Sequence, residues 1–496
     1  MSDSHSHIFR YSFDKEDLTA YQGWPERYVK QPQVLAYLQH IVERHDLRRD
    51  LQLETALLGA HFDEENNVWE VETSRGNFTV RYLITALGLL SKSNVPEIPG
   101  LDTFKGEMYH SSQFPDHYNF STKRVGVIGG GSTGVQIITA VSKNVGRLIS
   151  FQRHPQYSVP AGDEPISKEE RDKINRDWDK IWDHVWNSIT AMGVNESTTP
   201  AMSVSAEERH RIFQEAWDKG NGFRFMFETF SDITTSEEAN EAAAAFIREK
   251  IAEIIKDTEK RRLLTPHDLY ARRPLCDAGY YQAFNQENVD IVHLGETPIV
   301  EVTPNGIRTS AEEYELDALI LATGFDAVDG NFNRTKIHGR HGTSLKEHWQ
   351  YGPSSYLGVF VPGFPNMFML TGPNGPFTNT PPIIETQGDL VTKLIAEGEG
   401  QAVIEATTQA ESQWTQICRE IANKTLFWKL DTWIFGANIP GKPRTVLFYL
   451  GGMQNYRAKI AEMVEEGYTG LKITKSIAQT GGDWQGTHHQ QIDIRA

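Results

Sequence analysis

A chain of 496 residues with 49 Lys+Arg against 66 Asp+Glu carries a formal charge of −17. At roughly 100–200 residues per domain it has room for about three domains. A chain this acidic, with no local basic patch in its sequence, excludes nucleic acid and anionic membrane surfaces as expected partners. A hydrophobic content of 39% and an aromatic content of 10% exclude wholesale disorder. The two cysteines, Cys276 and Cys418, lie far apart, which excludes a disulfide framework and a cysteine-ligated metal cluster and suits a reducing cytosol. No apolar run approaches the roughly 18 residues of a membrane span. Residues 1–7 lack the apolar stretch of a signal peptide. The composition predicts a soluble, cytoplasmic, multi-domain protein, with enzyme the leading class.

In chain order, Pro32–Leu47 places Val34, Leu35, Leu38, Ile41 and Val42 at helical spacing behind a first-turn proline, predicting an amphipathic helix. Residues 68–72 and 78–83 alternate as a hairpin does, with 74–77 as the turn. The apolar run 83–88 ends in Gly88 and predicts a buried strand. Residues 124–128 are a short apolar strand, and 135–141 are helix-like. From about 161 to 262 the text turns to charged helices, with capping-box patterns at Ser167/Glu170 and Ser205/Glu208. Strands return at 289–293 and 318–322, and the tail after Ile477, with His488 and His489, looks frayed. The order is α/β, helical insert, α/β.

The sharpest signal lies at Gly129, Gly131 and Gly134, a G-x-G-x-x-G between the strand and the helix. Gly129 makes the tight turn, Gly131 lets backbone approach a pyrophosphate, and Gly134 permits close helix–strand packing. Ser132 and Thr133 open a helix whose positive end attracts phosphate. The next strand, 148–152, ends at Arg153, where an NAD site places Asp or Glu on the ribose hydroxyls; an arginine there favours the 2′-phosphate of NADP. No HExxH pattern and no Cys or His pair at ligand spacing occurs, so no metal is expected.

Phe104, Gly106, His110, Phe114 and Pro115 follow the spacing F-x-G-x-x-x-H-x-x-x-W-[P/D]. With the segments 151–160, 204–209, 223–230, 268–277, 322–330, 372–379 and 433–441, they make the chain resemble the flavin-dependent Baeyer–Villiger monooxygenases, closest to the cyclohexanone monooxygenase branch, from about residue 3 to about residue 473. The resemblance implies a Rossmann-like α/β flavoprotein with two dinucleotide-binding domains. Residues 1–118 and 330–496 would form the FAD domain, 119–160 with 263–329 the NADP domain, and 161–262 a helical subdomain inserted in the latter. The family opens with a further strand–glycine loop–helix for the ADP half of FAD. This sequence enters after it, so the expectation is a FAD domain without its first βαβ unit.

The implied cofactors are FAD and NADP. The implied reaction is NADPH- and O2-dependent insertion of oxygen next to a ketone carbonyl through a peroxyflavin, giving an ester or lactone. Arg273 would be the fixed catalytic cation, oriented by Asp3, and Arg272 would help hold NADP. Trp433 and Asn438 would lie on a segment closing over NADP, and Phe377, Thr378 and Asn379 beside the flavin or substrate. His110 reads as a structural histidine of the domain linker. Phe114, standing where the fingerprint has Trp, keeps a flavin N- or S-monooxygenase open as an alternative. An alternative of another class is a truncated, non-catalytic NADP-binding remnant unable to hold FAD.

Overall fold

A computed structural model describes residues 2–21 and 24–475 of the chain; the tail after Ile477 lies outside the described residues. At the centre is a wholly parallel sheet with strand order 289–293, 147–152, 124–128, 318–321, 107–110. Strands buried on both faces need near-continuous apolar sequence. Arg124–Ile128 and Ala318–Leu321 supply it, with Val125, Val127, Ala318, Leu319 and Ile320 fully buried. The helix Ser132–Val141 covers one face through Val135, Ile138 and Val141. Three antiparallel strands, 299–303, 306–309 and 313–315, pack on the other through Val302, Ile307 and Leu316. The strand Glu107–His110 falls in the segment 1–118 expected for the FAD domain, yet it completes the hydrogen-bond ladder of Ala318–Leu321 in this central sheet.

The stretch from 168 to 264 is helical, with Ala206–Lys219 and Glu237–Ile254 its longest members. Its core is aromatic: Trp178, Trp182, Phe213, Trp217, Phe225 and Phe246 are all buried, and Phe213 stacks on Phe225 at 5.2 Å. Ser167 and Ser205 each cap a helix by accepting from the N–H of Glu170 and Glu208. The return bond of a capping box is not made at Glu208, because its carboxylate pairs with Arg211 at 2.6 Å instead. At Ser344 and Glu347, where no arginine competes, both halves form.

A second sheet has the order 336–338, 57–63, 68–73, 76–80, and the parallel pair 83–85/367–369 lies beside its core, which is built on Phe62, Trp69, Ile337 and Met367. Two expectations are corrected here. The run 83–88 is a strand only over Leu83–Thr85, and Ile84 points outward at 47% exposure. The helix expected over 32–47 spans Gln31–Arg44 and buries Tyr37 and Ile41, while Leu35 and Leu38 stay exposed. Its packing partners are aromatic (Tyr21, Trp24) and draw the tyrosine side of the helix inward, so the leucine side faces out.

The chain crosses between the two halves at 88–95 and 323–329, and the crossings run side by side. Ser93 and Phe325 form an antiparallel bridge, and Asn94 N–H donates to Gly324 O at 2.9 Å. No described helix is long and apolar enough to cross a membrane.

At the first turn of the chain, Ser6–Phe9, His5 just before it and His7 within it form a pair, their rings 5.4 Å apart. Burial lowers both below the usual imidazole range, with further depression of His5 by His7, Arg224 and Arg27, and of His7, to about 4, by Arg10. A histidine depressed in the folded state contributes stability that is complete above its unfolded pKa of about 6.5 and is lost as pH falls toward the folded value. Unfolding free energy should therefore drop between pH 6.5 and 4. His7→Gln should flatten that drop by at most about 3 kcal/mol, since each tenfold loss of proton affinity on folding is worth ~1.4 kcal/mol. Urea melts of the two proteins across that range check it; parallel curves would show that His7 does not titrate in that window.

Candidate active site

The strand Arg124–Ile128 delivers its chain into Gly129 at φ +120°, where a Cβ would lie 2.3 Å from Ala322 O. A Cβ at Gly134 would lie 2.1 Å from Gly129 O, so the helix can sit this close only with glycine there. A Cβ at Gly131 would meet nothing within 4 Å, which leaves open space above the loop, and the helix N-terminus at Ser132 and Thr133 faces a cavity. Beneath the loop, Gln152 Oε1 accepts from Tyr280 Oη at 3.3 Å, while its buried Nε2 has no protein partner.

The neighbouring strand ends at Gln152 and leaves Arg153 exposed. Burial, then the charge of Arg272, depress the His154 imidazole. Arg272 itself donates to Asp268 at 3.0 Å and to Asp431 O at 3.2 Å.

Arg273 enters from the start of the short strand Leu275–Asp277, which pairs in parallel with Ser158–Pro160. Its Nη2 donates to Asp3 Oδ2, its Nη1 to Pro274 O at 3.2 Å, and its guanidinium lies 5.4 Å from the Phe223 ring centroid, a cation–π distance. Burial pulls the Arg273 pKa down, but the adjacent Asp3 charge outweighs it, and the group ends above its usual value. Burial, then Asp3, push the neighbouring Cys276 thiol well up, so it stays protonated.

The segment carrying Asp3 is held at several points. Ser2 N–H donates to Val29 O at 2.8 Å, Ser6 N–H to Arg27 O at 2.7 Å, and Ser4 Oγ to Asn379 Oδ1 at 2.9 Å.

A cavity of about 900 Å³ brings together Asp3, Arg273, Ser132, Thr133, Phe377, Thr378, Asn379 and Trp433. The Phe377 ring packs against Trp433 at 5.9 Å and Phe448 at 5.2 Å, forming an aromatic wall. Gly129, Gly131, Gly134, Arg153, Arg272 and Asn438 do not line it. Asn438 instead donates to Phe325 O at 2.9 Å. Four residues on, Lys442 donates to Asp326 at 2.7 Å, to Ala327 O at 3.1 Å and to Asp329, while Lys92 bonds the other oxygen of Asp326 at 3.0 Å. The segment behind Trp433 is thus fastened to the crossing 323–329, and through Asp326 that crossing is tied to Lys92 on the other. His110 bonds Gly324 O at 3.1 Å through Nε2 and Ser112 Oγ at 2.7 Å through Nδ1, bracing the same crossing; burial keeps its pKa low.

These residues fit the expected cofactors. Open space above Gly131 and an unpartnered Gln152 amide suit a dinucleotide phosphate loop. Two further buried atoms at the cavity wall, Asp3 Oδ1 and Asn379 Nδ2, have no protein partner, as a polar heterocycle would require. Among the described residues one strand–glycine loop–helix unit of this type is present, at 124–141.

Residues 11–208 match a family described as pyridine nucleotide-disulphide oxidoreductase. The chain is 52% identical over 477 residues to cyclohexanone 1,2-monooxygenase of an Acinetobacter species, covering 95% of this chain and 88% of that protein. It is 50% identical to a phenazine N-monooxygenase of Lysobacter antibioticus, covering 95% and 87%. The crystal structure of cyclohexanone monooxygenase from Rhodococcus sp. Phi1 bound to NADP+ matches with a TM-score of 0.94 at 53% identity, over 96% of this chain and 90% of that one.

The chain belongs to the Baeyer–Villiger monooxygenase family.

This monooxygenase is therefore an NADPH- and O2-dependent flavoenzyme that uses FAD and NADP. Its fold is that of the two-dinucleotide-domain flavoproteins. The extent of the matches does not favour a non-catalytic remnant. Sequence reasoning misses several residues of the site: Phe223 under Arg273, Met192 and Phe448 in the wall, and Lys442 behind the Trp433 segment. Phe223 lies inside a family-like stretch, 223–230; a lysine and two aspartates distant in sequence leave no local signal.

The Arg273–Asp3 pair is only partly solvated, with side-chain exposures of 26% and 6%. Arg273→Ala leaves a carboxylate without its counter-charge and should cost on the order of 2 kcal/mol, below the 3–5 of fully buried pairs because the arginine keeps some solvent. Asp3→Asn made together with Arg273→Ala should recover part of that loss in chemical unfolding. Additive losses would show that the two side chains are not coupled.

Proposed function

We propose that this monooxygenase inserts one oxygen atom beside the carbonyl of a ketone, with Arg273 as the fixed cation and Asp3 as the residue that orients it. The observation that carries this is the Arg273–Asp3 pair on the wall of the same cavity that takes in the glycine-loop helix end and the aromatic residues Phe377 and Trp433. When bound, FAD would supply the redox chemistry that couples NADPH oxidation to O2. Ser132 and Thr133 offer backbone N–H groups to the NADP pyrophosphate, and Arg153 and Arg272 serve its 2′-phosphate. Trp433 and Asn438 hold the segment that closes on that cofactor, and Phe377, Thr378 and Asn379 bound the flavin and substrate space.

The oxygen transfer builds negative charge on oxygen. A guanidinium is permanently charged and presents donors in a fixed plane, so Arg273 can stabilise that charge without proton transfer. The Phe377, Trp433 and Phe448 rings exclude water, which strengthens the stabilisation. On this reading 1–118, apart from the strand Glu107–His110 that joins the central sheet, and 330–475 make up the FAD half, 119–160 with 263–329 the NADP half, and 161–262 the insert.

A second reading, oxygenation of nitrogen or sulfur, is not favoured by the relatives taken together; one relative is a phenazine N-monooxygenase, and Phe114 lines the cavity in place of the fingerprint tryptophan. Purified chain supplied with FAD should be yellow, oxidise NADPH and convert cyclic ketones in a mixed panel to lactones. Arg273→Ala should lower lactone formation by about 10²–10³-fold while NADP+ affinity, measured by calorimetry, stays near that of the parent. N-oxide or sulfoxide without lactone would replace the first reading by the second. A colourless chain that binds NADP+ alone would sink both.

A further inference from the structure

Asn221 lies immediately before the helix Gly222–Phe227 with φ +80°, in the left-handed region, and is 1% exposed. Its Oδ1 accepts from the N–H of Phe223 at 2.8 Å and of Arg224 at 3.3 Å. Its Nδ2 donates to the carbonyl oxygen of Asp3 at 2.9 Å and to Tyr28 Oη at 3.0 Å. A primary amide has two donors and two acceptor sites, so this side chain is saturated. The backbone on either side is tied as well: Asn221 N–H donates to Pro160 O at 2.7 Å and Gly222 N–H to Cys276 Sγ at 3.2 Å. A Cβ at Gly222 would stand 2.7 Å from Leu275 O, so the chain here runs against the backbone that follows Arg273.

We propose that Asn221 is the positioning residue for Arg273. One amide fixes the segment whose carboxylate pairs with the guanidinium, and caps the helix whose first ring, Phe223, lies against it. The functional consequence rests on the role proposed above for Arg273; the positioning itself does not.

The site asks for three properties together: tolerance of positive φ, an acceptor for the helix N-terminus, and a donor for Asp3 O. Glycine meets the first, and aspartate the first two. Asparagine alone of these meets all three. Loss of the donor would not release the segment, because Ser2, Ser4 and Ser6 remain bonded. It would leave the Asp3 carbonyl unsatisfied and let the carboxylate shift from the guanidinium, and Coulomb attraction falls with that distance.

The test measures the coupling between Asp3→Asn and Arg273→Ala by denaturant unfolding of the full chain, in four backgrounds: parent, Asn221→Asp, Asn221→Gly and Tyr28→Phe. Asn221→Asp retains the backbone conformation and the helix cap; Asn221→Gly removes the side chain without adding charge. The coupling constant should fall about tenfold in both Asn221 backgrounds and stay at the parent value in Tyr28→Phe, which loses only the hydroxyl. A coupling equal to the parent's in both Asn221 variants would overturn the inference. In the FAD-loaded enzyme, Asn221→Asp should raise hydrogen peroxide formed per NADPH at the expense of ester, with NADP+ affinity unchanged. Reduced coupling with undiminished ester yield would uphold the positioning and count against the role assigned to Arg273.

Discussion

A guanidinium held against a largely apolar cavity is the constraint on which the rest of this structure depends. Charge taken out of water must be compensated close by, and the compensation here is assembled from distant parts of the chain. Asp3 is 270 positions from Arg273 in sequence. It can reach the arginine only because the first segment is pinned to residues 27–29 and to Asn379. The arginine can wait there only because Leu275–Asp277 is locked in parallel beside Ser158–Pro160. Phe223, at the end of an inserted helix, supplies the aromatic face. The helical insert therefore contributes to the cavity wall: without it the cation would lose a ring contact and the carbonyl of Asp3 would lose its bond to Asn221.

The same physical logic recurs at Lys442. Its ammonium has three donors, and three acceptors, on Asp326, Ala327 and Asp329, take them. A buried ion cluster of this kind adds little net stability over an apolar packing of equal volume, but it admits one arrangement only. What it fixes is the segment from Trp433 to Lys442, set against the two crossings that join the nucleotide-binding halves. The cavity wall and the interdomain connection are thus one mechanical unit, with Asn438 and His110 bonding to consecutive carbonyls, Phe325 and Gly324, on either side of the crossing.

The glycine loop is fully legible in the sequence, because Gly129 and Gly134 each answer a steric demand that no other residue meets at that spacing and Gly131 leaves open space above the loop. The central strands are legible for a similar reason: burial on both faces leaves an unbroken apolar run. Arg273 and Asp3 are legible only through family resemblance, since an arginine pair before a proline carries no pattern of its own. The helix at 31–44 can be read from its spacing, but its inward face cannot, because tyrosine at position 37 competes with leucine for the interior and the aromatic neighbours decide the outcome. The capping box at Ser205 stays half-formed for a local reason, an arginine three residues on that takes the Glu208 carboxylate. Asn221 is invisible: its role follows from a positive φ and from partners 193 and 218 residues away, neither of which a sequence window contains.

The protonation state of Cys276 shows how the site keeps its cation available. A thiol beside a guanidinium would ordinarily be drawn toward thiolate, which would place a second negative charge on Arg273. Burial and the charge of Asp3 oppose this and hold the proton on sulfur, where the group serves as a weak acceptor for Gly222 N–H. The arginine thus faces one carboxylate and no thiolate. Its bonds to Pro274 and Asp3 use one N–H on Nη1 and one on Nη2 out of the five that a guanidinium carries. The counter-charge is enough to keep the cation partly buried, and, for the role proposed above, donors remain for an oxygen that gains negative charge in the cavity. A second anion in the cluster would make burial easier and oxygen stabilisation weaker, so the single carboxylate is the arrangement that serves both.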